Sequence, residues 1–245
     1  MDRLAYVAMS SAGEDRLMEA SLANDLANVN TIGFKADQVS FKSLYLNGAA
    51  KSVRVYSKAG SNGVNLADGP VETTGKPLDI ALRGNAWLSV TAPNGSQGYV
   101  HTASMKINGN GVLVTQDGDV VNSENGFSVT VPSGQDVLID KRGGINVMQN
   151  GEPEEIDKLK IVSLPKKYVY KTENGLIQVA ASQHGNIQPT TGRVVIPDAI
   201  EESNVSPVDT MIRMMDISRQ YEADVSEISS AKDTDSAAND LLEVR

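Results

Sequence analysis

Eight Asn-Gly dipeptides crowd the middle of this chain, beginning at residues 47, 62, 94, 108, 110, 125, 150 and 174, and neither end contains one. Asn-Gly suits the two-residue hairpin turn because both residues tolerate positive φ, and Asp68-Gly69 and Asp117-Gly118 extend the same signal. Strand-like runs separate the turns, among them Leu78 to Leu82, Trp87 to Thr91, Gly111 to Thr115, Phe127 to Val131, Lys158 to Leu164 and Arg193 to Ile196. Short strands at intervals of about ten residues predict an all-β domain, here over 73–202. Residues 33–72, with Gly60, Asn62-Gly63 and Asp68-Gly69-Pro70, read as an extended connector.

The ends follow a different period. Residues 2–30 contain no proline and a single glycine, and Leu4, Ala8, Ser11, Met18, Leu22 and Val29 fall on a three-four spacing, with Ala23, Leu26 and Ala27 beside them. This predicts a helix of about 28 residues, about 40 Å long, that stops at Asn30-Thr31-Ile32-Gly33. At the far end Ser206-Pro207 supplies an N-cap and a first-turn proline, after which Met211, Met214, Tyr221, Val225, Ile228 and Leu242 follow near-heptad spacing. A second helix is expected from about residue 207 to 242, with Ser229 to Asp235 the place for a break. Ser218, Lys232 and Asp235 interrupt its seam, and so narrow a stripe is completed by other helices, including those of other subunits. The expected fold class is α+β. Segments 1–32 and 203–245 form a discontinuous, coiled-coil-like helical unit, 33–72 the connector and 73–202 an inserted β domain.

Charge complicates the pairing of the two ends. The formal charge is −9; residues 1–32 contribute −3 and residues 203–245 contribute −5. Two helices of like sign complement each other poorly, and a third party bearing positive charge would relieve them. The same acidity disfavours nucleic acid, anionic membrane and acidic substrates as partners. With no cysteine and only His101 and His184, disulfides, thiol nucleophiles, Cys-ligated metals and multi-histidine sites are excluded. The first residues lack the cationic start and apolar run of a secretory signal, and no stretch has the roughly 18 apolar residues that span a bilayer. A chain that is soluble, or that leaves the cytoplasm without a cleaved signal, is expected.

Motifs with chemical potential are weak. Five residues separate Gly69 from Gly75, and Pro77 stands where a P-loop needs Ser or Thr. Asn108 to Gly111 lies among hairpin signals rather than before a helix, and Asp117-Gly118-Asp119 lacks a further oxygen ligand at Val121, so both read as turns. His101 and His184 come with no nucleophile elbow and read as polar strand or loop residues. Glu154-Glu155 and Glu201-Glu202 read as solvated pairs. Trp87 is either a carbohydrate platform or a residue packing on the second face of its strand, and Met211, Met214 and Met215 read as packing. No enzyme activity, catalytic residue, cofactor, metal or small-molecule substrate is expected.

The end motifs are more specific. Ala23-Asn24-Asp25-Leu26-Ala27-Asn28-Val29-Asn30-Thr31-Ile32-Gly33-Phe34-Lys35 resembles the signature A-N-N-L-A-N-x-x-T-x-G-F/Y-K of the flagellar axial family, the rod and hook proteins, with Asp25 in place of the second asparagine. Glu202-Ser203-Asn204-Val205-Ser206-Pro207-Val208, the methionine run and Arg219-Gln220-Tyr221-Glu222-Ala223 are similar to the family's C-terminal motif. The start Met1-Asp2-Arg3, Gly75 to Leu82, Trp87 to Val90 and the tail Ala237 to Leu242 resemble its proximal-rod branch.

The resemblance implies export through the flagellar type III apparatus without a cleaved signal. It also implies assembly with other rod proteins in the periplasm into the hollow rod of the basal body, which transmits torque and conducts exported subunits. The terminal helices would form the inner tube, with the β domain outside. It implies an assembly interface of Leu22, Asn24, Leu26, Ala27, Asn28, Val29, Asn30, Gly33, Phe34, Asn204, Pro207, Met211, Met214, Tyr221, Val225 and Ile228. Asn24, Asn28 and Asn30 would satisfy backbone groups at the helix end, and the apolar members would pack. The alternative for those residues is an intramolecular helical hairpin. At the level of function the alternatives are a distal-rod or hook-type axial protein, a periplasmic peptidoglycan- or carbohydrate-binding β module and, more remotely, a periplasmic hydrolase.

Overall fold

A computed structural model describes residues 2–47, 53–132, 135–149, 152–165, 169–172 and 174–243. The fold is α+β: a long helix at each end and strands between them. The chain divides into a helical unit of Met1–Asn28, Asp37–Asn62 and Ser206–Arg245 and a β-rich unit of Val29–Ala36 and Gly63–Val205.

In the helical unit, α1 (Asp2–Ala27) packs along α2 (Pro207–Glu243). α1 stops just short of the expected Asn30 because Asn28 turns back: its Nδ2 donates to the Asn24 carbonyl at 2.9 Å and to the Asn24 side chain at 2.8 Å. α2 opens as the Ser-Pro pair predicts, with the Ser206 carbonyl accepting from Thr210 N–H at 3.0 Å and Pro207 in the first turn. It runs unbroken through Ser229 to Asp235, contrary to the expected break. That stretch lacks glycine and proline, and Thr234 Oγ1 donates to the Ser230 carbonyl at 2.7 Å within the helix. Part of the stretch read as connector forms a two-stranded pair, β1 (Asp37–Asn47) with β2 (Val53–Val64).

The β-rich unit is built on β3 (Val71–Thr73), β4 (Asp79–Leu82), β5 (Ala86–Thr91), β6 (Gln97–Val100), β7 (Thr102–Ile107), β8 (Leu113–Thr115) and β9 (Val120–Val121). A three-stranded antiparallel sheet of β10 (Val137–Ile139), β11 (Gly144–Gln149) and β12 (Glu152–Lys158) follows. The remaining strands are β13 (Ile161–Ser163), β14 (Val169–Lys171), β15 (Ile177–Val179), β16 (Gln188–Pro189), β17 (Val195–Pro197) and β18 (Ala199–Glu201). The main sheet runs β14-β15-β6-β5-β9-β8-β7-β4-β17, with β13 pairing β5 and β16 off that path, and β18 pairs β3 alone. β5 is buried on both faces: Ala86, Leu88 and Val90 enter a core with Ile80, Leu113 and Ile145, whereas Trp87 enters a second with Tyr99, Val162 and Ile177. This is the alternation expected of Ala86 to Val90.

Several expected turns form, at Asn94-Gly95, Asn110-Gly111, Asp117-Gly118, Asn125-Gly126 and Asn174-Gly175. Their chemistry differs from a primed turn. Among the described residues Asp198, at φ 57°, is the sole non-glycine with positive φ, so in these turns glycine alone takes the left-handed position. Asn62-Gly63 lies inside β2 rather than in a turn. The Asn47-Gly48 and Asn150-Gly151 turns lie outside the described residues.

Candidate functional site

Motif residues from the two ends of the chain meet inside the β-rich unit. Gly33 N–H donates to the Glu201 carbonyl at 2.8 Å, and Asn204 N–H donates to the Phe34 carbonyl at 3.2 Å. The Asn204 side chain closes the junction: Oδ1 accepts from Ala36 N–H at 2.8 Å, and Nδ2 donates to the carbonyls of Asn65 and Ala67 at 2.8 and 3.0 Å. An amide is suited to this position because it accepts on one atom and donates twice from the other. Gly33 sits at φ 67°, and a Cβ there would lie 2.6 Å from Thr102 Cγ2, so a side chain is both strained and obstructed. The Phe34 ring lies under the Lys171 ammonium, 4.0 Å from its centroid, and that ammonium also donates to the Lys35 carbonyl at 3.1 Å.

Lys35 carries the junction into the core. Its ammonium donates to Glu201 Oε1 and to the Ala67 carbonyl, each at 2.8 Å. Glu201 Oε1 also accepts from Gly69 N–H at 2.5 Å, and Oε2 makes a short contact with His101 Nδ1. Gly69 can approach because it has no side chain: a Cβ would fall 2.3 Å from the Glu202 carbonyl. His101 Nε2 lies 2.9 Å from the Gly84 carbonyl and 4.0 Å from Asp68 Oδ1. Both ring nitrogens face oxygens that only accept, so an imidazolium with a hydrogen on each nitrogen satisfies the two contacts. Burial by itself raises the Glu201 carboxyl, but the hydrogen bond and charge of His101, followed by Lys35 and Gly69 N–H, outweigh it and hold the group below its ordinary 4.5.

This cluster joins distant parts of the chain. One ligand atom each from Asp68, His101 and Glu201 lies within 4.8 Å of the others, a grouping that could hold a metal. The Lys35 ammonium already fills the cation position against Glu201, so these residues do not suit one. Trp87 stacks beside the cluster, its ring 4.9 Å from His101 and tilted by 58°; at 1% exposure it is a packing residue, and the carbohydrate-platform reading is set aside. Asp117-Gly118-Asp119 is a tight turn joining β8 to β9, with Thr115 N–H donating to the Asp119 carbonyl at 2.8 Å.

Three residues of the cluster escaped the reading of the sequence. Glu201 was expected to be solvated with Glu202, yet Glu201 is fully buried while Glu202 is exposed, because β18 alternates and directs Ala199 and Glu201 inward. His101 lies at the bend between β6 and β7, in keeping with the strand-or-loop reading, but it is buried. Lys35 was quoted only as the end of a motif; the inward register of β18 is the signal for Glu201, and no local pattern marks Lys35 or His101.

The remaining expected interface residues lie in or next to the helical unit. The covered positions of α2 step 210, 214, 217, 221, 224, 228 and 231, a four-three repeat that includes Met214, Tyr221 and Ile228. Met211 and Val225 fall one residue outside it and are exposed, as is Pro207. On α1, Ala8 and Ala12 are buried and Leu22 and Leu26 half-buried, whereas Asn24 and Ala27 are exposed. Val29, Asn30, Gly33, Phe34 and Asn204 belong to the β-rich unit. Asp25, the departure from the signature, is buried and accepts from Asp37 N–H at 3.2 Å through Oδ1, a bond the amide oxygen of asparagine would also accept.

Comparison with known proteins agrees with this arrangement. Residues 197–241 match the flagellar basal body rod FlgEFG protein C-terminal family, and residues 81–147 match the flagellar hook protein FlgE/F/G D1 domain. The chain is 30% identical to the flagellar basal-body rod protein FlgF of Escherichia coli, over 99% of each chain. It is 28% identical to FlgF of Salmonella typhimurium, again over 99% of each. Identity to the flagellar basal-body rod protein FlgG of Caulobacter vibrioides is 24%, over 94% of this chain and 95% of that one. End motifs bonded to each other across the β-rich unit, a long helix at each terminus and relatives matched along their whole length lead to one assignment: the chain belongs to the FlgF family of flagellar basal-body rod proteins.

Proposed function

We propose that this chain is a structural subunit of the flagellar basal-body rod and that its terminal helices are its polymerising surface. The observation that carries this reading is the distribution of large apolar side chains. The β-rich unit encloses its own cores and, among the described residues, exposes large apolar side chains no more than one to a strand or turn, Phe127 the most, whereas the helical pair leaves Tyr6, Met9 and Leu17 on α1 and Val208, Met211, Ile212 and Met215 on α2 exposed, Tyr6, Leu17 and Val208 by 60% or more. These side chains recur at three-four spacing, so each helix carries a stripe that its own partner does not cover. Covering one such side chain contributes about 1.5–3 kcal/mol, and several together favour a neighbour strongly.

In this reading the expected interface residues, from Leu22 and Asn24 on α1 to Val225 and Ile228 on α2, divide their work. Met214, Tyr221 and Ile228 hold the coiled-coil-like pair, and Met211 and Val225 meet other rod subunits. The helical unit lines the tube, the β-rich unit lies outside it, and the motif junction fixes where the chain leaves one and enters the other. The subunit performs no catalysis. It passes unfolded through the flagellar type III apparatus, and its terminal helices order fully against proximal and distal rod neighbours in the periplasm.

Electron microscopy of basal bodies from a strain lacking the gene tests the reading. Rings without a completed rod are expected, with rods and swimming restored by the wild-type gene. Intact rods and normal swimming in that strain would remove the role.

A further inference from the structure

The seam of the helical pair contains a charge conflict. Asp15 on α1 and Asp224 on α2 each place Oδ2 out of solvent with no hydrogen-bond partner among the described residues. Asp224 is only 7% exposed, and it and the buried Glu14 both act electrostatically on Asp15. Arg16, the neighbouring cation, lies 5.6 Å over the ring of Tyr221, and among the described residues no ion pair joins it to either carboxylate. Two like charges with unpartnered oxygens, one of them on a buried side chain, are costly in an isolated chain, and a cation that reaches both relieves the repulsion and supplies the missing hydrogen bonds.

We propose that Asp15 and Asp224 together receive a basic side chain, a guanidinium or ammonium, from a neighbouring rod subunit. Several observations select this occupant. The seam lies between only two helices, so it is approached from its flanks. Val225, next to Asp224 on α2, is exposed on the flank, so a subunit that covers it brings its own side chains beside Asp224. A forked guanidinium can donate to both carboxylates at once. The helical ends contribute −8 of the chain's net charge of −9, and a basic partner is the charge they lack.

The inference rests on the rod-subunit reading, and one binding experiment separates the two. The full chain is mixed with the adjoining rod protein and association is followed by sedimentation for wild type, the Asp15→Asn/Asp224→Asn double variant and Met211→Ser. The double variant is expected to associate at least tenfold more weakly while melting no earlier than wild type as an isolated chain. Wild-type association should also weaken between about 0.05 M and about 0.5 M salt. Undiminished association of the double variant, or no salt dependence, overturns the inference. Saturable magnesium or calcium binding by the wild-type chain that Asp224→Asn abolishes overturns it too, by assigning the carboxylates to a metal. If Met211→Ser alone weakens association, the rod reading stands without this inference; if neither variant does, the rod reading fails with it.

Discussion

Lys35 and Glu201, separated by 166 residues, form an ion pair of 2.8 Å in which both side chains are about 1% exposed. Glu201 sits on β18, the last strand before α2, and Lys35 follows the turn after α1. Removing one partner leaves the other charge buried, which costs about 3–5 kcal/mol. Lys35→Met is therefore expected to destabilise the β-rich unit by about that amount. Trp87, the sole tryptophan, lies with its ring 5.9 Å from the Lys35 ammonium and reports the unit's urea unfolding by fluorescence.

The same carboxylate sets an acid limit. Despite burial, His101, Lys35 and Gly69 N–H hold Glu201 below its ordinary 4.5, so the folded state binds that proton less readily than the unfolded chain. The resulting stability is complete above 4.5 and is lost as pH falls through the lower native value. Urea midpoints read from Trp87 should fall as the medium is acidified below 4.5. Glu201→Gln should flatten that dependence, at lower stability throughout.

The helical unit should respond with the opposite sign. Burial, then Asp224, then Glu14 raise the Asp15 carboxyl above its ordinary 3.8. The folded pair thus binds that proton more readily than the unfolded chain, and its stability grows as pH falls from neutrality through the raised value toward 3.8. Far-ultraviolet circular dichroism of the isolated chain should show helix melting later under mild acid than at neutral pH. Asp15→Asn should remove the difference, and a helix signal that melts earlier in mild acid contradicts the assignment.

These opposed responses mark where reading the sequence stops. The two faces of β5 were legible because a strand's period of two separates Trp87 from Leu88 and Val90 without reference to any partner. The start of α2 was legible from Ser206-Pro207, and the hairpins from their glycines. The Lys35–Glu201–His101 cluster was not legible, because the meeting of residues 35, 101 and 201 is a property of strand order rather than of local pattern. Glu201 looked solvated because Glu202 stands beside it, and only the register of β18 tells the two apart. The helical seam was half legible: a near-heptad apolar pattern admits neighbouring phases, and packing selected the one that covers Asp224 and exposes Met211 and Val225. The like charge of the two ends was visible as a sum, and the structure locates it at Asp15 and Asp224.

Asn204 provides the most direct test of the motif junction. Its Oδ1 accepts from Ala36 N–H, and its Nδ2 donates to the carbonyls of Asn65 and Ala67. Asn204→Asp keeps the shape and the acceptor but turns the donating end into a carboxylate oxygen facing two carbonyls. Two hydrogen bonds are lost, each worth about 1 kcal/mol, although the Ala67 carbonyl keeps its Lys35 donor, and the added charge repels both carbonyls, so a loss of about 2 kcal/mol is expected. Acidification that protonates the new carboxyl returns one donor and should recover part of the loss. Asn204→Ala deletes all three bonds without adding charge, so its loss should not vary with pH in the same way. Urea unfolding followed by Trp87 fluorescence at neutral and mildly acidic pH compares the two variants; equal losses with equal pH dependence contradict the role given to the donating nitrogen.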